Sequence, residues 1–273
     1  TYRELMLCIN GFAVSLLKDG FVRGERVLLY MPNSIEFVTA FFGINLAGGI
    51  AVLTDTKFND EIIKIIQQHS IKRIASDIKG KEKIRDILNN KSLQIYTAGY
   101  DQIYNTKVEH NDLEAGKVYA DTDIDRYSMI LYTSGSTGEP MGVINSHRTL
   151  LQALNNYCST VKIDDNDLLA AVTPFLHSYA VGSCMLAGLA SGAVLLVRES
   201  FNPRKILKLI SGEKTTIFHG VPYMYNLLNQ LMEYSDFDFS SLRLCISAGS
   251  PLGENVARTF FRLTGKVIHQ EYG

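Results

Sequence analysis

The stretch LYTSGSTGEPMGV, Leu131–Val143, decides the fold because it joins a strand-like run to a loop of small residues. The run that leads into it, Tyr127–Tyr132, is mostly apolar and predicts a buried strand. Gly142, Val143 and Ile144 beyond the loop have the pattern of a return strand. The loop itself carries closely spaced hydroxyl groups and glycines, and the residues that form it are Thr133, Ser134, Gly135, Ser136, Thr137 and Gly138.

Two interpretations of this loop stay open on composition alone. Backbone N–H groups that converge without obstructing side chains favour anions, phosphates above all. A Ser/Gly-rich surface hairpin between two strands accounts for the same residues. The loop is not a Walker A motif, because Glu139-Pro140-Met141-Gly142 follows Gly138 where that motif needs lysine and serine or threonine. With no G-x-G-x-x-G pattern either, a P-loop NTPase and a dinucleotide oxidoreductase are disfavoured.

Strand-like and helix-like segments alternate on both sides of the loop, which predicts an α/β fold with mostly parallel sheets sandwiched by helices. Thr1 and Glu4 form a capping box before a helix that Gly20 ends. Ser34 is the predicted N-cap of a second helix, and Gly48 its stop. Residues 99–125 are polar and predict a long connection and a possible subdomain break.

The segment Leu168–Val197 contains no charged residue, yet Pro174 and several glycines divide it into short pieces. We interpret it as a strand, a loop, a helix over about Tyr179–Ala190 and a second strand, all buried in an α/β core. It therefore does not predict a transmembrane helix.

The composition is that of an ordinary globular protein, with 46% hydrophobic residues, 20% charged residues and a net charge of -1 over 273 residues. This balance gives no electrostatic case for nucleic acid or an anionic membrane as partner. The four widely spaced cysteines predict buried free thiols and no zinc site: Cys8, Cys158, Cys184 and Cys245. Such usage, with no visible signal peptide, predicts a cytoplasmic protein.

Several segments together resemble the adenylate-forming superfamily, which includes acyl-CoA synthetases, luciferases of the firefly type and peptide-synthetase adenylation domains. YTSGSTGEPMGVINSH is similar to its phosphate-binding signature. The further matching segments occur in family order and span nearly the whole chain: YMPNSIEFVTAFFGINLAGG, PFLHSYAVGSCMLAGLASGA, SLRLCISAGSPLG and HQEYG. The histidine segment is most similar to the 4-coumarate–CoA ligase branch.

The resemblance implies ATP-dependent conversion of a carboxylic acid to an acyl-adenylate, followed by thioester formation with CoA or a carrier-protein thiol, with ATP, Mg²⁺ and CoA as cofactors. Thr133 to Gly138 would bind the β- and γ-phosphates. The implied adenine site is Gly249, Ser250, Pro251, Glu271, Tyr272 and Gly273. Tyr179 and Ser183 would line the acyl pocket, and no protein metal ligand is assigned.

His177 corresponds to an aromatic or histidine gate near the carboxylate in this superfamily, and it is the candidate catalytic residue. A lone histidine in an apolar stretch is more often a core residue, and only the resemblance favours catalysis here. His219 and His147 have no such match. His147 follows Ser146, a plausible N-cap, which indicates a structural role.

Met141 departs from the superfamily, which usually carries lysine or arginine at this position. A thioether supplies no charge to a phosphate, so a catalytically degenerate ATP/AMP-binding module stays an alternative. We expect residues 1–273 to be most of the N-terminal domain, with the small C-terminal domain absent. We also expect this fragment alone to be inactive.

Overall fold

A computed structural model of the chain describes residues 1–54, 59–88, 93–97, 123–133, 141–234 and 237–272. The chain divides into two compact units, Thr1–Leu150 and Leu151–Gly273. Most of the predicted connection at 99–125 lies outside the described residues. The subdomain break expected there therefore stays a prediction.

The first unit contains a mostly parallel sheet. Its strands are β1 (Arg26–Tyr30), β2 (Ile50–Leu53), β3 (Arg73–Ser76), β4 (Gln94–Thr97), β5 (Tyr127–Thr133) and β6 (Met141–Ser146). Among the described residues their order is β4-β3-β1-β2-β5-β6. Neighbouring strands are parallel except β5 and β6, which form the predicted hairpin and pair Thr133 with Met141.

Three helices begin where the sequence predicts caps. Thr1 and Glu4 form the capping box, and the Phe37 backbone N–H donates to Ser34 Oγ at 3.0 Å. The Thr149 N–H donates in the same way to Ser146 Oγ at 3.2 Å. The helices of this unit are Tyr2–Lys18, Ile35–Leu46, Asn59–Gln68 and Ile78–Leu88, and the helix His147–Val161 begins in it and continues into the second unit.

The second unit contains a parallel sheet with the order β11-β10-β9-β7-β8 in the described part of the chain. Its strands are β7 (Leu168–Ala171), β8 (Val194–Val197), β9 (Ile217–Gly220), β10 (Leu244–Ser247) and β11 (Ile268–Gln270). Helices Pro203–Glu213, Pro222–Met232 and Glu254–Thr264 connect them. Aromatic rings form part of the core, with Tyr225 in edge-to-face contact with Phe218 and Phe260.

An ion pair lies at the amino edge of the second sheet. Asp167, 3% exposed, precedes β7 and pairs with Arg243 before β10, with Nη2 to Oδ2 at 2.6 Å. Thr216 before β9 donates its hydroxyl to Asp167 Oδ1 at 2.7 Å. Burial opposes ionisation, but the hydrogen bonds from Arg243 and Thr216 outweigh it and lower the pKa of Asp167.

The helix predicted over about Tyr179–Ala190 is confirmed, and its geometry changes along its length. A π-helix spans Ala180–Leu186, and α-helical geometry is restricted to Ala187–Ala190. The π-helical segment is buried on nearly all sides, so no polar stripe marks its helical period in the sequence. π-helical turns are frequent at functional sites.

The four cysteines are free, as predicted. Cys8, Cys184 and Cys245 are buried, but the expectation of burial was wrong for Cys158, which is half-buried. Its helix, His147–Val161, has no fully buried residue, because only one side of it is covered. Within the described ranges, no helix has the length and apolarity needed to cross a lipid bilayer.

Candidate active site

A cleft lies at the carboxyl edge of the second sheet. The parallel strands all end at this edge. The chain runs from β7 to β8 on one side and then to β9 on the other side of β7, so β7 and β9 form a topological switch point. Ligands of open α/β sheets bind in the crevice outside the carboxyl ends at such a point. The topology alone therefore selects this edge as the candidate site.

The cleft has a volume of about 600 Å³, within the usual range for small-molecule sites. The segments that follow β7, β9, β10 and β11 all contribute to its walls. Six of its lining residues were predicted from the sequence: His177, Tyr179, Ser183, Gly249, Ser250 and Glu271. The other lining residues are Thr173, Ser178, Val221 and Ala248.

Glu271 is held at the cleft by two hydroxyl groups. Ser183 Oγ donates to Glu271 Oε1 at 2.9 Å, and the Tyr157 hydroxyl donates to Oε2 at 3.4 Å. Tyr157 also contacts His219 Nε2 at 3.0 Å. One arrangement satisfies all these groups, with His219 Nε2–H donating to the tyrosine oxygen and the tyrosine O–H donating to the carboxylate.

His219 lies beneath the cleft and is completely buried. Its ring is in edge-to-face contact with Tyr179, with 5.8 Å between the ring centres. Its backbone oxygen accepts a hydrogen bond from Thr173 Oγ1 at 3.2 Å, which ties the end of β9 to the segment after β7. His219 Nδ1 has no hydrogen-bond partner among the described residues.

Burial sets the protonation states of this group. It lowers the pKa of His219 to about 3, so the imidazole is neutral at physiological pH. It raises the pKa of Tyr157 and of Tyr179, so both remain protonated donors. Burial also raises the pKa of Glu271, and the hydrogen bonds from Ser183 and Tyr157 offset part of that rise. The cleft floor thus presents neutral donors around one acid.

The residues predicted for the adenine site separate into two sets. Gly249 and Ser250 line the cleft, and Gly249 has a φ of +84°, where a side chain would be strained. Pro251 is exposed outside the lining. Tyr272 is fully exposed to solvent, and Gly273 lies outside the described residues.

The phosphate-loop prediction falls mostly outside the described residues. Thr133 ends β5, whereas Ser134, Gly135, Ser136, Thr137 and Gly138 are not described. Met141 begins the return strand, and its side chain is 63% exposed. No group of three or more His, Cys, Asp and Glu side chains in the described ranges is placed to hold a metal ion.

Tyr157 and His219 are the functional candidates that the sequence analysis missed. Tyr157 lies on the apolar side of an amphipathic helix, and His219 lies within a buried strand, so neither has a local pattern that marks a site. The signal that could have identified His219 was its place in the topology. It is the penultimate residue of β9, whose carboxyl end borders the switch point.

A profile of AMP-binding enzymes matches the entire chain, residues 1–273. The chain belongs to the AMP-binding enzyme family. This membership confirms the family that the sequence motifs indicated.

Two plant proteins illustrate the relationship of this AMP-binding chain to curated relatives. 4-coumarate–CoA ligase 2 of Petroselinum crispum is 28% identical over 265 residues, which cover 94% of this chain and 48% of that protein. 4-coumarate–CoA ligase 3 of Arabidopsis thaliana is 26% identical over 282 residues, covering 100% and 50%. The chain thus spans about half the length of the curated relatives it matches.

Solved structures confirm the fold. ATP-bound MatB from Rhodopseudomonas palustris matches with a TM-score of 0.85 and 24% identity, covering 100% of this chain and 54% of that chain. The inhibitor-bound N-terminal domain of FACL13 from Mycobacterium tuberculosis matches with a TM-score of 0.85 and 25% identity, covering 100% and 68%. The AMP-binding chain therefore has the α/β fold of an N-terminal domain, as predicted.

Proposed function

We propose that the protein carrying this chain activates a carboxylic acid with ATP and then transfers the acyl group to CoA. The observation that carries the proposal is the cleft, because it brings together residues from three separate motifs. His177, the Gly249-Ser250 pair and Glu271 come from distant parts of the chain and line one cavity. Family membership and the names of the ligase relatives support the same reaction.

In the first step a substrate carboxylate oxygen attacks the α-phosphorus of ATP. A new O–P bond forms, the bond to the β-phosphate breaks, and pyrophosphate leaves. In the second step the CoA thiol, as its thiolate, attacks the acyl carbonyl and AMP leaves. Pyrophosphate and AMP are good leaving groups, so the protein's contribution is positioning and charge stabilisation.

The residues of the cleft suit that contribution. Tyr157 and Tyr179 remain protonated, and neutral His219 adds no charge beneath the cleft. His177 stands at the exposed wall, where the superfamily resemblance assigns it a role near the reacting carboxylate. Thr133 to Gly138 stay the predicted phosphate contacts, and Tyr272 and Pro251 the predicted adenine contacts.

Mg²⁺ would arrive with the ATP phosphates and neutralise charge that develops on them. Mg²⁺ usually keeps several waters and needs only one or two protein carboxylates besides substrate phosphates. The described residues, which offer no cluster of three ligands, fit that mode of binding.

The test is carboxylate-dependent ATP–pyrophosphate exchange by the full-length protein, with aryl, short-chain and long-chain acids. Exchange with one class of acid is expected, and subsequent thioester formation with CoA, but not with carrier-protein thiols, would support the CoA ligase. If only a carrier-protein thiol receives the acyl group, the acceptor is the carrier protein and not CoA. The isolated 273 residues are expected to bind nucleotide weakly and not to turn over.

Met141 supports a second candidate, a catalytically silent ATP/AMP-binding module. An exposed thioether stands where the superfamily usually supplies a cation. Folded full-length protein that binds ATP but exchanges pyrophosphate with no acid would favour this module over the ligase.

A further inference from the structure

Glu271 is the one acidic residue among the described residues that line the cleft. It is half-buried, and the carboxylate contacts only the neutral hydroxyls of Ser183 and Tyr157. In the described part of the chain no arginine or lysine forms an ion pair with it. His177 lines the same cleft at its exposed wall.

A half-buried carboxylate that contacts only neutral hydroxyls gains no favourable charge interaction from the described residues. Burial alone drives it towards the neutral form and raises the pKa of Glu271, so the site as it stands opposes ionisation. A cation in the cleft would reverse that effect by pairing with the carboxylate. The described part of the site therefore supplies no cation to Glu271, and a ligand can supply one.

Glu271 keeps hydrogen-bonding capacity for such a ligand. Each carboxylate oxygen accepts two hydrogen bonds, and the structure uses one on each: Ser183 on Oε1 and Tyr157 on Oε2. The two hydroxyls fix the carboxylate in one orientation, and His219 behind Tyr157 holds the tyrosine. A preorganised acceptor with free lone pairs matches an ammonium group, which is a donor only.

The remaining lining agrees with a small organic cation better than with a metal ion. Val221 and Ala248 offer apolar surface for carbon atoms, and Tyr179 offers a ring that is kept neutral. Glu271 is the one carboxylate of the described lining, and the side chains of Val221 and Ala248 offer no ligand atom to a metal ion.

We propose that the acid activated by this protein carries a protonated amine, which Glu271 binds in the cleft. This inference rests on the proposed ligase function and names its substrate class. The sequence resemblance placed Glu271 on the adenine side, and the hydrogen bonds to Ser183 and Tyr157 are what point to this different role. A second carboxylate on the substrate would be repelled, and an apolar tail would leave Glu271 unpaired.

The first experiment compares matched acids in ATP–pyrophosphate exchange by the full-length protein. One aromatic set is 4-(aminomethyl)benzoate, 4-methylbenzoate and benzene-1,4-dicarboxylate; an aliphatic set is β-alanine, propanoate and malonate. Longer aliphatic sets of the same three kinds extend the panel. In every set that supports exchange, the amine is expected to exceed the neutral acid about 100-fold in kcat/KM. A neutral acid or a diacid as the best member would overturn the inference and leave the ligase function standing.

Variants at Glu271 separate recognition from general damage. Glu271→Gln keeps the shape and removes the charge, so the ratio of kcat/KM for the amine to kcat/KM for the neutral acid is expected to fall about 100-fold. Glu271→Lys is expected to shift preference towards the diacid. Glu199→Gln, an exposed acid in the same unit, is the matched control and should change neither value. Equal losses for amine and neutral acids in Glu271→Gln would contradict the proposal.

A direct binding measurement covers the case in which no acid supports exchange. Isothermal titration of the full-length protein with the same panel should then detect an amine-bearing acid that binds wild type and not Glu271→Gln. That result would retain the recognition site while rejecting the ligase function. Binding of no amine-bearing acid would overturn both. Circular dichroism of each variant confirms that it is folded.

Discussion

Met141 is the residue whose replacement tests the phosphate-loop prediction. Met141→Lys places a cation at the end of the hairpin, so we expect the KM for ATP in pyrophosphate exchange to fall several-fold. Because the side chain is 63% exposed, stability should change by no more than about 0.5 kcal/mol. Ile144→Lys is the control: it lies on the same strand and is also exposed, but it points to the opposite face. An equal effect of both variants would indicate a non-specific effect of charge.

His219 makes stability depend on pH. Its pKa is about 3 in the folded chain and about 6.5 in an unfolded chain. The unfolded state therefore binds an additional proton as pH falls below 6.5, and stability is lost from there down to the folded pKa. From pH 7 to pH 5 the loss should be about 2 kcal/mol.

His219→Gln removes that titration while keeping a polar side chain. Urea unfolding at pH 7 and pH 5 should show a smaller pH difference for the variant than for the wild type. An unchanged difference would mean that other groups dominate the acid sensitivity.

A matching segment was needed to predict a cleft residue from the sequence, but it was not sufficient, because Pro251 and Tyr272 belong to such segments and lie outside the lining. Six predicted site residues line the cleft, and each of them was predicted because it belongs to a matching segment. Tyr157 and His219 reach the same site through tertiary packing, one from a helix and one from a strand. No spacing along the chain encodes that approach.

At the scale of an element, the helix Ile35–Leu46 depends on its cap. Ser34 Oγ accepts the Phe37 N–H, and Ser34→Ala should destabilise the chain by about 1 kcal/mol. Ser34→Asp retains an acceptor and should cost far less. Chemical denaturation of both variants measures the difference. Equal losses would show that the serine acts through something other than the cap.

Element prediction succeeded where a local signal exists. Capping residues marked the starts of three helices, and Gly142-Val143-Ile144 marked the return strand β6. It also identified the helix over about Tyr179–Ala190, but not its pitch. A helix that is buried on nearly all sides has no amphipathic period from which the pitch can be deduced. The strand order could not be predicted from the sequence either. The alternation of strands and helices predicts a parallel sheet but not which strands are neighbours.

In the second unit as a whole, stability and ligand binding are assigned to opposite edges of one sheet. The Asp167–Arg243 pair lies at the amino edge and the cleft at the carboxyl edge. Arg243→Met leaves a buried carboxylate without its partner and should cost about 3 kcal/mol. Exchange kinetics of the folded protein should change less than about twofold.

The control for that prediction is an exposed ion pair. Arg262→Met removes the pairing with Glu233, in which both side chains are largely exposed, and should cost no more than about 1 kcal/mol. Thermal unfolding ranks the two variants. A large kinetic defect in Arg243→Met at full folding would contradict the separation of the two edges.

The position of Glu271 at the end of β11 has a consequence for synthesis of the protein. The segments that follow β7, β9, β10 and β11 form the walls of the cleft. An emerging chain therefore has no complete cleft until β11 and Glu271 have left the ribosome. Until then, β10 presents an open edge on the side that β11 later covers. Stalling translation shortly before Glu271 should therefore produce a nascent chain that engages chaperones and retains no cleft ligand.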